Sequence, residues 1–392
     1  MVTRDPEKPF CLVIYLYDLT GGGAERLYIR LAVEFVKLGW NVIFLLDLRI
    51  GELVSHVPDG CEIEVLGAKL FKALPRLVRF LQRVQPDVLI ANFEDLLISS
   101  LVARRLARVP TRMIVVQHST FTEEVKGLVW QYRIFAPLYR WALPYADAVV
   151  AVSGGVADDL TAYTGLARRA MTIIHTGVVT DDFERLASTE PAHPWFAENR
   201  PVILGIGRMA PQKDFKTLIA AFASIQDSSD ARLMILGDGP MREELELFVE
   251  SFGLADRVAL PGFIDNPLPY LSRAKLFVLS SRFEGCPTVV IEALACGIPV
   301  VSTDCPHGPL EILDGGRYGD LVPVGDPAAL GKAMLSALKS SANREELKSR
   351  GRVFSVATCA AAYATLIRQL MQSPAENTRT RRAGVSSPVD KG

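Results

Sequence analysis

The sequence predicts an α/β protein with two domains, each built around a doubly wound parallel sheet. Short apolar runs alternate with helical patterns, the alternation lapses once near mid-chain, and 392 residues suffice for two domains of about 100–200 residues. The first unit shows the pattern. An apolar run over 10–17 is followed by glycines at 21–23, a helical pattern to Leu38 and a second apolar run from Val42.

Two series of strand candidates, separated by helical stretches, continue this pattern. They are 63–66, 88–91, 113–117 and 148–152 in the first half, and 202–206, 232–236, 258–260, 276–279 and 299–302 in the second. Between the series, residues 176–200 include Pro191 and Pro194 and indicate a linker. We therefore predict domains over 1–190 and 191–372, a last helix that crosses back to the first domain, and a disordered tail over 373–392.

The bulk composition narrows the function classes. The chain has 43 Lys and Arg against 44 Asp and Glu, a balance that gives no support to a nucleic-acid partner. Its six cysteines form no Cys-x-x-Cys pair, which predicts buried thiols in a reducing compartment. Without a signal-peptide pattern or an apolar run of about 18 residues, we expect a cytoplasmic protein, and peripheral attachment at the inner membrane face stays open.

Two glutamates stand in the apolar stretch 281–303. Glu284 follows a predicted strand, and Glu292 lies on a predicted helix that starts near Pro287 and ends at Gly297. Buried carboxylates are costly unless a cation or a hydrogen-bond donor meets them. Because ligands of open α/β sheets bind beyond the carboxyl ends of strands, both glutamates are candidates for a binding site. A helix-dipole contact and a solvated side chain would explain the pair equally simply.

Cations and glycines follow two other predicted strands. In 204–219 a strand ends at Gly207, and Arg208 and Lys213 stand just before a helix. Two cations beside a helix N-terminus form a site for phosphates, although solvated side chains would give the same pattern. In 236–245 the run LGDGP again joins a strand to a helix, either as a tight turn or as a ligand contact.

Together the motifs resemble those of the retaining glycosyltransferases of family 4, which have the GT-B fold. The resemblance covers about 10–372 in order. Its segments are G-x-G-R at 205–208 with Lys213, G-D-G-P at 237–240, LPGFIDN at 260–266, S-x-F-E-G at 281–285, E-A-x-A-x-G-x-P-V-V at 292–301, GGGAER at 21–26 and His118. It implies two Rossmann-like domains facing across a cleft, the first binding an acceptor and the second a nucleotide-sugar donor.

The resemblance also implies roles for the charged candidates. Arg208 and Lys213 would neutralise the donor diphosphate and the charge that grows on it in the transition state. Glu292 would accept hydrogen bonds from the ribose, Glu284 would face the transferred sugar, and His118 would lie near its hydroxymethyl group. Catalysis is thus expected from Arg208, Lys213, Glu284 and His118, with no cofactor and no metal, in keeping with the lack of an Asp-x-Asp motif.

The remaining assignments concern donor binding. The backbone around Phe263 and Ile264 would read the base. Gly22 and Gly23 would let their loop approach the diphosphate, because a Cβ would clash there. The other donor-binding positions that the resemblance implies are Gly207, Gly239, Gly285, Glu292 and Glu311.

One segment departs from the family pattern. Many relatives have a Gly-Gly pair before the glutamate of the loop 302–313, whereas this chain has a single Gly308 between His307 and Pro309. With GGGAER and SRFEGCP, this variant is similar to the branch that adds UDP-N-acetylhexosamines to polyprenyl-diphosphate glycans or surface polysaccharides. The resemblance therefore implies transfer of a hexose or N-acetylhexosamine from a UDP-sugar to a glycan or lipid-linked acceptor. The alternatives are a UDP-sugar epimerase, for which five histidines are few, and a non-catalytic nucleotide-sugar-binding protein.

Two segments suggest contact with an anionic membrane surface or a lipid-linked acceptor. In 69–83 the cations share one predicted helical face opposite leucines, and Pro75 must start or kink that helix. These cations are Lys69, Lys72, Arg76, Arg79 and Arg83. In 127–145 aromatic residues alternate with arginines, which is typical of a membrane interface. A solvated face and core packing explain the two segments as well.

Overall fold

The computed structural model describes residues 9–20, 22–69, 72–122 and 137–373. It forms two compact units, one reaching to Gly177 and resuming at Val356, the other spanning Val178–Ser355. The division falls before the predicted boundary at residue 190, because the backbone N–H of Val178 donates to Phe354 O at 2.8 Å. The tail predicted to be disordered lies, beyond residue 373, outside the described part of the chain.

The first unit is built on a seven-stranded parallel sheet in the order β3-β2-β1-β4-β5-β6-β7. Its strands are β1 Cys11–Leu16, β2 Asn41–Leu46, β3 Cys61–Val65, β4 Val88–Ala91, β5 Arg112–Gln117, β6 Ala148–Ala151 and β7 Met171–Ile173. All four residues of β4 are buried, as expected for a parallel sheet covered on both faces. β7 was not predicted, because three residues are too short to show a period.

Helices connect these strands. Their bounds are α1 Gly23–Lys37, α2 Leu74–Val84, α3 Glu94–Ala107 and α4 Gly154–Thr164. In α1 the side chains of Leu27, Leu31 and Phe35 are buried, and their spacing of four places them on one stripe of the helix. The C-terminal helix Val356–Gln372 belongs to the same unit and packs against α1.

The second unit holds a six-stranded parallel sheet in the order β10-β9-β8-β11-β12-β13. Its strands are β8 Val202–Ile206, β9 Arg232–Leu236, β10 Val258–Gly262, β11 Leu276–Leu279, β12 Val300–Thr303 and β13 Asp320–Val322. The predicted strands 202–206, 232–236 and 276–279 are confirmed with the same bounds. Both sheets therefore have the doubly wound topology that the sequence predicts.

The helices of the second unit cover both faces of this sheet. They are α5 Phe183–Ala187, α6 Phe215–Ile225, α7 Arg242–Ser251, α8 Leu268–Arg273, α9 Thr288–Ala295, α10 Pro309–Ile312, α11 Pro327–Lys339 and α12 Arg344–Arg352. Successive residues of β8 enter different cores: Ile203 packs with Phe222 on one side, and Leu204 packs with Ile291 on the other. The alternation follows from the period of two in a strand.

Each sheet reverses its strand order at one place, and such switch points are where ligands of open α/β sheets bind. In the first unit the switch point lies between β1 and β4, and in the second between β8 and β11. The loops that follow these strands are therefore the expected places of ligand binding.

Two further predictions concern membrane-spanning helices and the burial of the cysteines. Within the described ranges, no helix is long and apolar enough to cross a membrane. All six cysteines are free thiols, but only Cys296, Cys305 and Cys359 are buried. The expectation that all six thiols are buried is wrong for the other three, which are half-buried because they lie at the edge of a strand or in a loop. They are Cys11, Cys61 and Cys286.

Candidate functional site

A buried ion pair lies at the switch point of the second sheet. Lys213 ends a short 3-10 turn after β8, and Glu284 lies in the loop after β11. Lys213 Nζ donates to Glu284 Oε1 at 2.6 Å, with side-chain exposures of 17% and 8%. The two residues, predicted separately from distant motifs, meet because β8 and β11 are neighbours. Losing one partner of such a pair costs about 3–5 kcal/mol, because the other charge stays buried without compensation.

Hydroxyl groups hold both members of the pair in place. Ser281 Oγ donates to the same Glu284 Oε1 at 2.6 Å, and Thr303 Oγ1 donates to Ser281 O at 2.6 Å. Ser280 Oγ donates to Lys213 O at 2.8 Å. All three hydroxyl residues are buried. Sequence reasoning missed their role, although a polar pair directly after a buried strand was a usable signal.

The glycine motifs after β8 and β9 pack backbone against backbone. The N–H of Met209 donates to Asp238 O at 2.9 Å. A Cβ on Gly237 would collide with Gly207 O, and one on Gly239 would lie 2.5 Å from Met209 O. These contacts favour the tight-turn interpretation of 236–245. The ligand contacts assigned to Gly207 and Gly239 stay predictions.

Other predicted donor-binding residues lie at the same end of the sheet. Arg208 follows Gly207 directly and is exposed. Phe263, just beyond β10, is 59% exposed, and Ile264 beside it is half-buried. An exposed cation after β8 and an exposed aromatic ring after β10, on the two sides of β9, are available to a ligand.

Glu292 and Glu311 are half-buried on α9 and α10. Arg350 of α12 donates through Nη2 to Glu311 O at 2.7 Å and through Nε to Ile312 O at 2.8 Å. Its guanidinium also packs over the ring of Phe354, 5.1 Å from the centroid. The planar fork thereby satisfies carbonyls at the end of α10 and holds the turn that carries Glu311.

The loop that departs from the family pattern is bonded to the Glu284 turn. The N–H of Glu284 donates to Pro306 O at 2.7 Å, and the N–H of His307 donates to Glu284 O at 3.0 Å. Gly308 has a φ of +97°, and a Cβ there would lie 2.9 Å from Gly285 O. Only glycine fits this conformation and this close approach. The two loops therefore form one bonded structure around the buried carboxylate.

The first sheet carries a polar network at its own switch point. Asn92 directly follows β4 and donates through Nδ2 to Tyr15 O of β1 at 3.1 Å. This bond fixes the amide orientation, so Asn92 Oδ1 is the acceptor that faces His118 Nε2 at 3.1 Å. Burial lowers the pKa of His118 to about 4. The ring is therefore neutral at pH 7 and carries its proton on Nε2.

Gly22 and Gly23 have different surroundings. The position that a Cβ would take on Gly22 is filled by the carboxylate of Glu25, whereas nothing lies within 4 Å of a Cβ on Gly23. Burial raises the pKa of Glu25. In this loop a Cβ on Gly22 would displace only the mobile end of the Glu25 side chain, and one on Gly23 would meet nothing, so neither position requires glycine for steric reasons within this unit. The predicted approach of a diphosphate is not tested by these contacts.

The basic face predicted over 69–83 is only partly helical. α2 begins at Leu74 with Pro75 in its first turn, so Lys69 and Lys72 do not lie on the helix, and residues 70–71 lie outside the described part. The prediction of five cations on one helical face is therefore wrong, because proline starts this helix. Three arginines remain exposed on α2. They are Arg76, which donates to Leu66 O, Arg83, which pairs with Glu64 at 2.8 Å, and Arg79.

The aromatic segment 127–145 is described only from residue 137 onward, so Trp130, Tyr132 and Arg133 lie outside the described residues. Tyr139 is a core residue whose hydroxyl donates to Gln117 Oε1 at 3.1 Å. Trp141 is 62% exposed. The described part therefore divides between core packing and surface.

Among the described residues, no three His, Cys, Asp or Glu side chains are grouped so that they could hold a metal ion. Metal independence stays a prediction.

Comparison with known proteins identifies the family. Residues 21–182 match the family described as "Glycosyltransferase Family 4", and residues 189–354 match "Glycosyl transferases group 1". The chain is 26% identical over 360 residues to a Campylobacter jejuni protein named N-acetylgalactosamine-N,N'-diacetylbacillosaminyl-diphospho-undecaprenol 4-alpha-N-acetylgalactosaminyltransferase, which covers 87% of this chain and 93% of that protein.

Solved structures agree on the fold. The lipopolysaccharide outer core galactosyltransferase WaaB matches with a TM-score of 0.73 at 18% identity, covering 91% of this chain and 99% of that one. Anabaena HepE, solved in complex with UDP and glucose, matches with a TM-score of 0.70 at 19% identity, covering 93% and 97%. The family assignment thus has three supports: the two doubly wound domains, the family matches along most of the chain, and the similar solved structures. The chain belongs to the family 4 glycosyltransferases, which have the GT-B fold.

Proposed function

We propose that this glycosyltransferase moves a hexose or N-acetylhexosamine from a UDP-sugar to a hydroxyl of a glycan or polyprenyl-diphosphate-linked oligosaccharide. The transfer proceeds with retention of configuration and without a metal. The observation that carries the proposal is the buried Lys213–Glu284 pair beside the exposed Arg208, at the switch point of the second sheet.

The charges at this switch point suit a diphosphate leaving group. Glu284 orients Lys213 through a direct ion pair, and the lysine is largely buried. An ammonium has three N–H donors, so the one given to Glu284 leaves others for phosphate oxygens. Fixed cations stabilise charge that develops on a leaving group without reorganising during the reaction. Arg208 adds a second cation from the end of β8, and together the two residues supply positive charge that does not depend on a metal ion.

The donor and acceptor classes are supported by the relatives. HepE is described as a complex with UDP, which supports a uridine nucleotide as donor. The C. jejuni relative is named as a transferase of N-acetylgalactosamine onto a diphospho-undecaprenol glycan. These names support transfer, rather than epimerisation, as the activity of this chain.

We also propose that α2 contacts an anionic membrane surface and attaches the protein peripherally. An open groove of about 590 Å³ beside α2 is lined by three arginines, by one carboxylate that pairs with Arg83 and by apolar residues, among them Val65 and Phe80. The arginines are Arg76, Arg79 and Arg83, and the carboxylate is that of Glu64. Cations beside apolar surface suit anionic lipid headgroups, and each cation near such a surface contributes about 1 kcal/mol.

A donor screen tests the activity. Purified protein is incubated with single nucleotide sugars and membrane extract, and released nucleotide and extended glycolipid are measured with and without excess EDTA. We expect UDP release from a UDP-hexose or UDP-N-acetylhexosamine, unchanged by EDTA, and an α-linked product by NMR. Epimerised donor without transfer, release of GDP instead, or activity that returns only with Mn²⁺ would contradict the corresponding part of the proposal.

A further inference from the structure

His307 stands in the loop that departs from the family pattern, directly before Gly308. The loop reads CPHGPLE over 305–311, so one position of the usual Gly-Gly pair is an imidazole. The contacts of His307 within the second unit indicate the role of its side chain.

The backbone ties His307 directly to the buried carboxylate. Its N–H donates to Glu284 O at 3.0 Å, while the N–H of Glu284 donates to Pro306 O at 2.7 Å. Two bonds between the same short segments fix the position of each backbone relative to the other. Gly308 packs against Gly285 O, and Thr303 donates to Ser281 O at 2.6 Å, which fasten the loop on both sides of His307.

The imidazole itself is available. His307 is half-buried, and across the ranges that the structure describes its ring makes no hydrogen bond or ion pair. An imidazole carries at least one N–H in every protonation state. Polar groups that are taken out of water normally have a partner, so an unpartnered half-buried ring beside a binding site has capacity for a ligand.

From these contacts we infer that His307 is a specificity-determining residue, which donates a hydrogen bond to an oxygen of the transferred sugar. The inference rests on the proposed use of a UDP-sugar, in which Glu284 faces that sugar. The backbone hydrogen bonds place His307 next to Glu284, which is proposed to face the transferred sugar. The base is instead assigned to Phe263 and Ile264. A ring hydroxyl or the carbonyl of an acetamido group would accept the bond.

The test separates the sugar from the nucleotide. Dissociation constants for UDP and for UDP-N-acetylglucosamine, UDP-N-acetylgalactosamine, UDP-glucose and UDP-galactose are measured by calorimetry on the full chain, with His307→Ala, His307→Asn and His307→Gly. We expect the UDP constant to stay within about twofold, and affinity for the preferred UDP-sugar to fall by about tenfold in His307→Ala, the effect of one lost hydrogen bond. His307→Asn keeps an N–H donor and should recover part of the loss.

The controls keep the outcomes distinct. His307→Gly restores the glycine pair and should behave like His307→Ala if the side chain itself is responsible. His56→Ala, an exposed histidine of the first unit, should change neither constant. Unchanged UDP-sugar affinity in His307→Ala, or an equal loss for UDP, would overturn the inference. Wild-type protein that binds no UDP and no UDP-sugar would overturn the proposed function first. A lowered thermal midpoint in His307→Ala with recovery by neither Asn nor Gly would assign the residue a purely structural role.

Discussion

The two units place different polar side-chain pairs near the same topological position. At the β8–β11 switch point a lysine and a glutamate meet as full charges. Near the β1–β4 switch point Asn92 meets His118, which follows β5, and the pKa of His118, lowered to about 4, keeps that ring neutral, although the carboxylates of Glu94 and Asp95 lie on the adjoining first turn of α3. The difference in charge indicates different ligand chemistry. Fixed cations suit a diphosphate, and neutral donors and acceptors suit hydroxyl groups.

The cost of burial explains the contrast. Lys213 has a carboxylate partner 2.6 Å away, which compensates the burial of both side chains. His118 faces an amide oxygen, which stabilises a neutral N–H but does not compensate a full charge. Burial beside an uncharged partner therefore favours the neutral form of His118. The identity of one neighbouring side chain decides which kind of site results.

The largest effect is expected at the charged switch point. Lys213→Ala should lower kcat by about 10²-fold or more, because it removes a cation that stabilises the transition state. It should also cost about 3–5 kcal/mol in the free energy of unfolding, because Glu284 stays buried without the cation that compensates its charge. Turnover and urea unfolding measure the two effects.

A matched lysine and a double variant control this experiment. Lys216→Ala, on α6 and exposed beside Glu244, should change neither quantity appreciably. Lys213→Met combined with Glu284→Gln should recover stability but not turnover. Full stability in Lys213→Ala would show that the pair is not coupled.

The two glutamates should differ from each other. Glu292→Ala should weaken UDP binding about tenfold to a hundredfold, since a charged acceptor bonded to hydroxyls contributes about 1.5–3 kcal/mol. Glu284→Ala removes the partner of Lys213 but no contact to the ribose, so it should weaken UDP binding less than Glu292→Ala does, and it should reduce transfer strongly. Calorimetry with UDP and turnover with UDP-sugar distinguish the variants. Equal losses of UDP affinity would mean that Glu284 does not face the sugar.

The neutral network should reveal itself through pH. The pKa of His118 is about 4 in the folded chain and near its usual 6.5 when unfolded, so the unfolded chain binds the proton first on acidification. Its contribution to stability is complete above pH 6.5 and is lost as pH falls toward 4, by up to about 3 kcal/mol. His118→Gln lacks this titration. The difference in unfolding free energy between wild type and His118→Gln should therefore shrink from pH 7 to pH 4.5, and a constant difference would contradict a buried neutral imidazole.

The exposed cations of the first unit should give the smallest effect for each residue. Reversing Arg79 and Arg83 to glutamate should weaken binding to vesicles rich in phosphatidylserine, by about 1 kcal/mol of binding free energy for each cation lost. Added salt should reduce the binding of the wild-type protein to the same level. Reversing Arg105 and Arg108, an equal change of charge around the end of α3, should leave most binding intact. Co-sedimentation measures this, and equal binding by wild type and the α2 variant would leave those arginines merely solvated.

Local patterns predicted most of the fold. Apolar runs and glycines located β8, β9 and β11 to the residue, because buried strands must be apolar and their turns need positive φ. Short strands such as β7 and β13 were missed, since three residues carry no period. The start of α2 was misjudged, because the spacing of charges continued across Pro75 while the helix did not.

The sequence by itself determined the two doubly wound domains and the ends of strands at which chemistry is placed, because alternation of apolar runs and helices leaves a chain few other ways to bury its surface. Only the tertiary structure decided which strands are neighbours. That order joined Lys213 to Glu284 across 71 positions, set Asn92 beside His118, and bonded the His307 loop to the Glu284 turn. Charge, protonation and hydrogen bonding depend on distance in space, and separation along the chain does not reveal that distance.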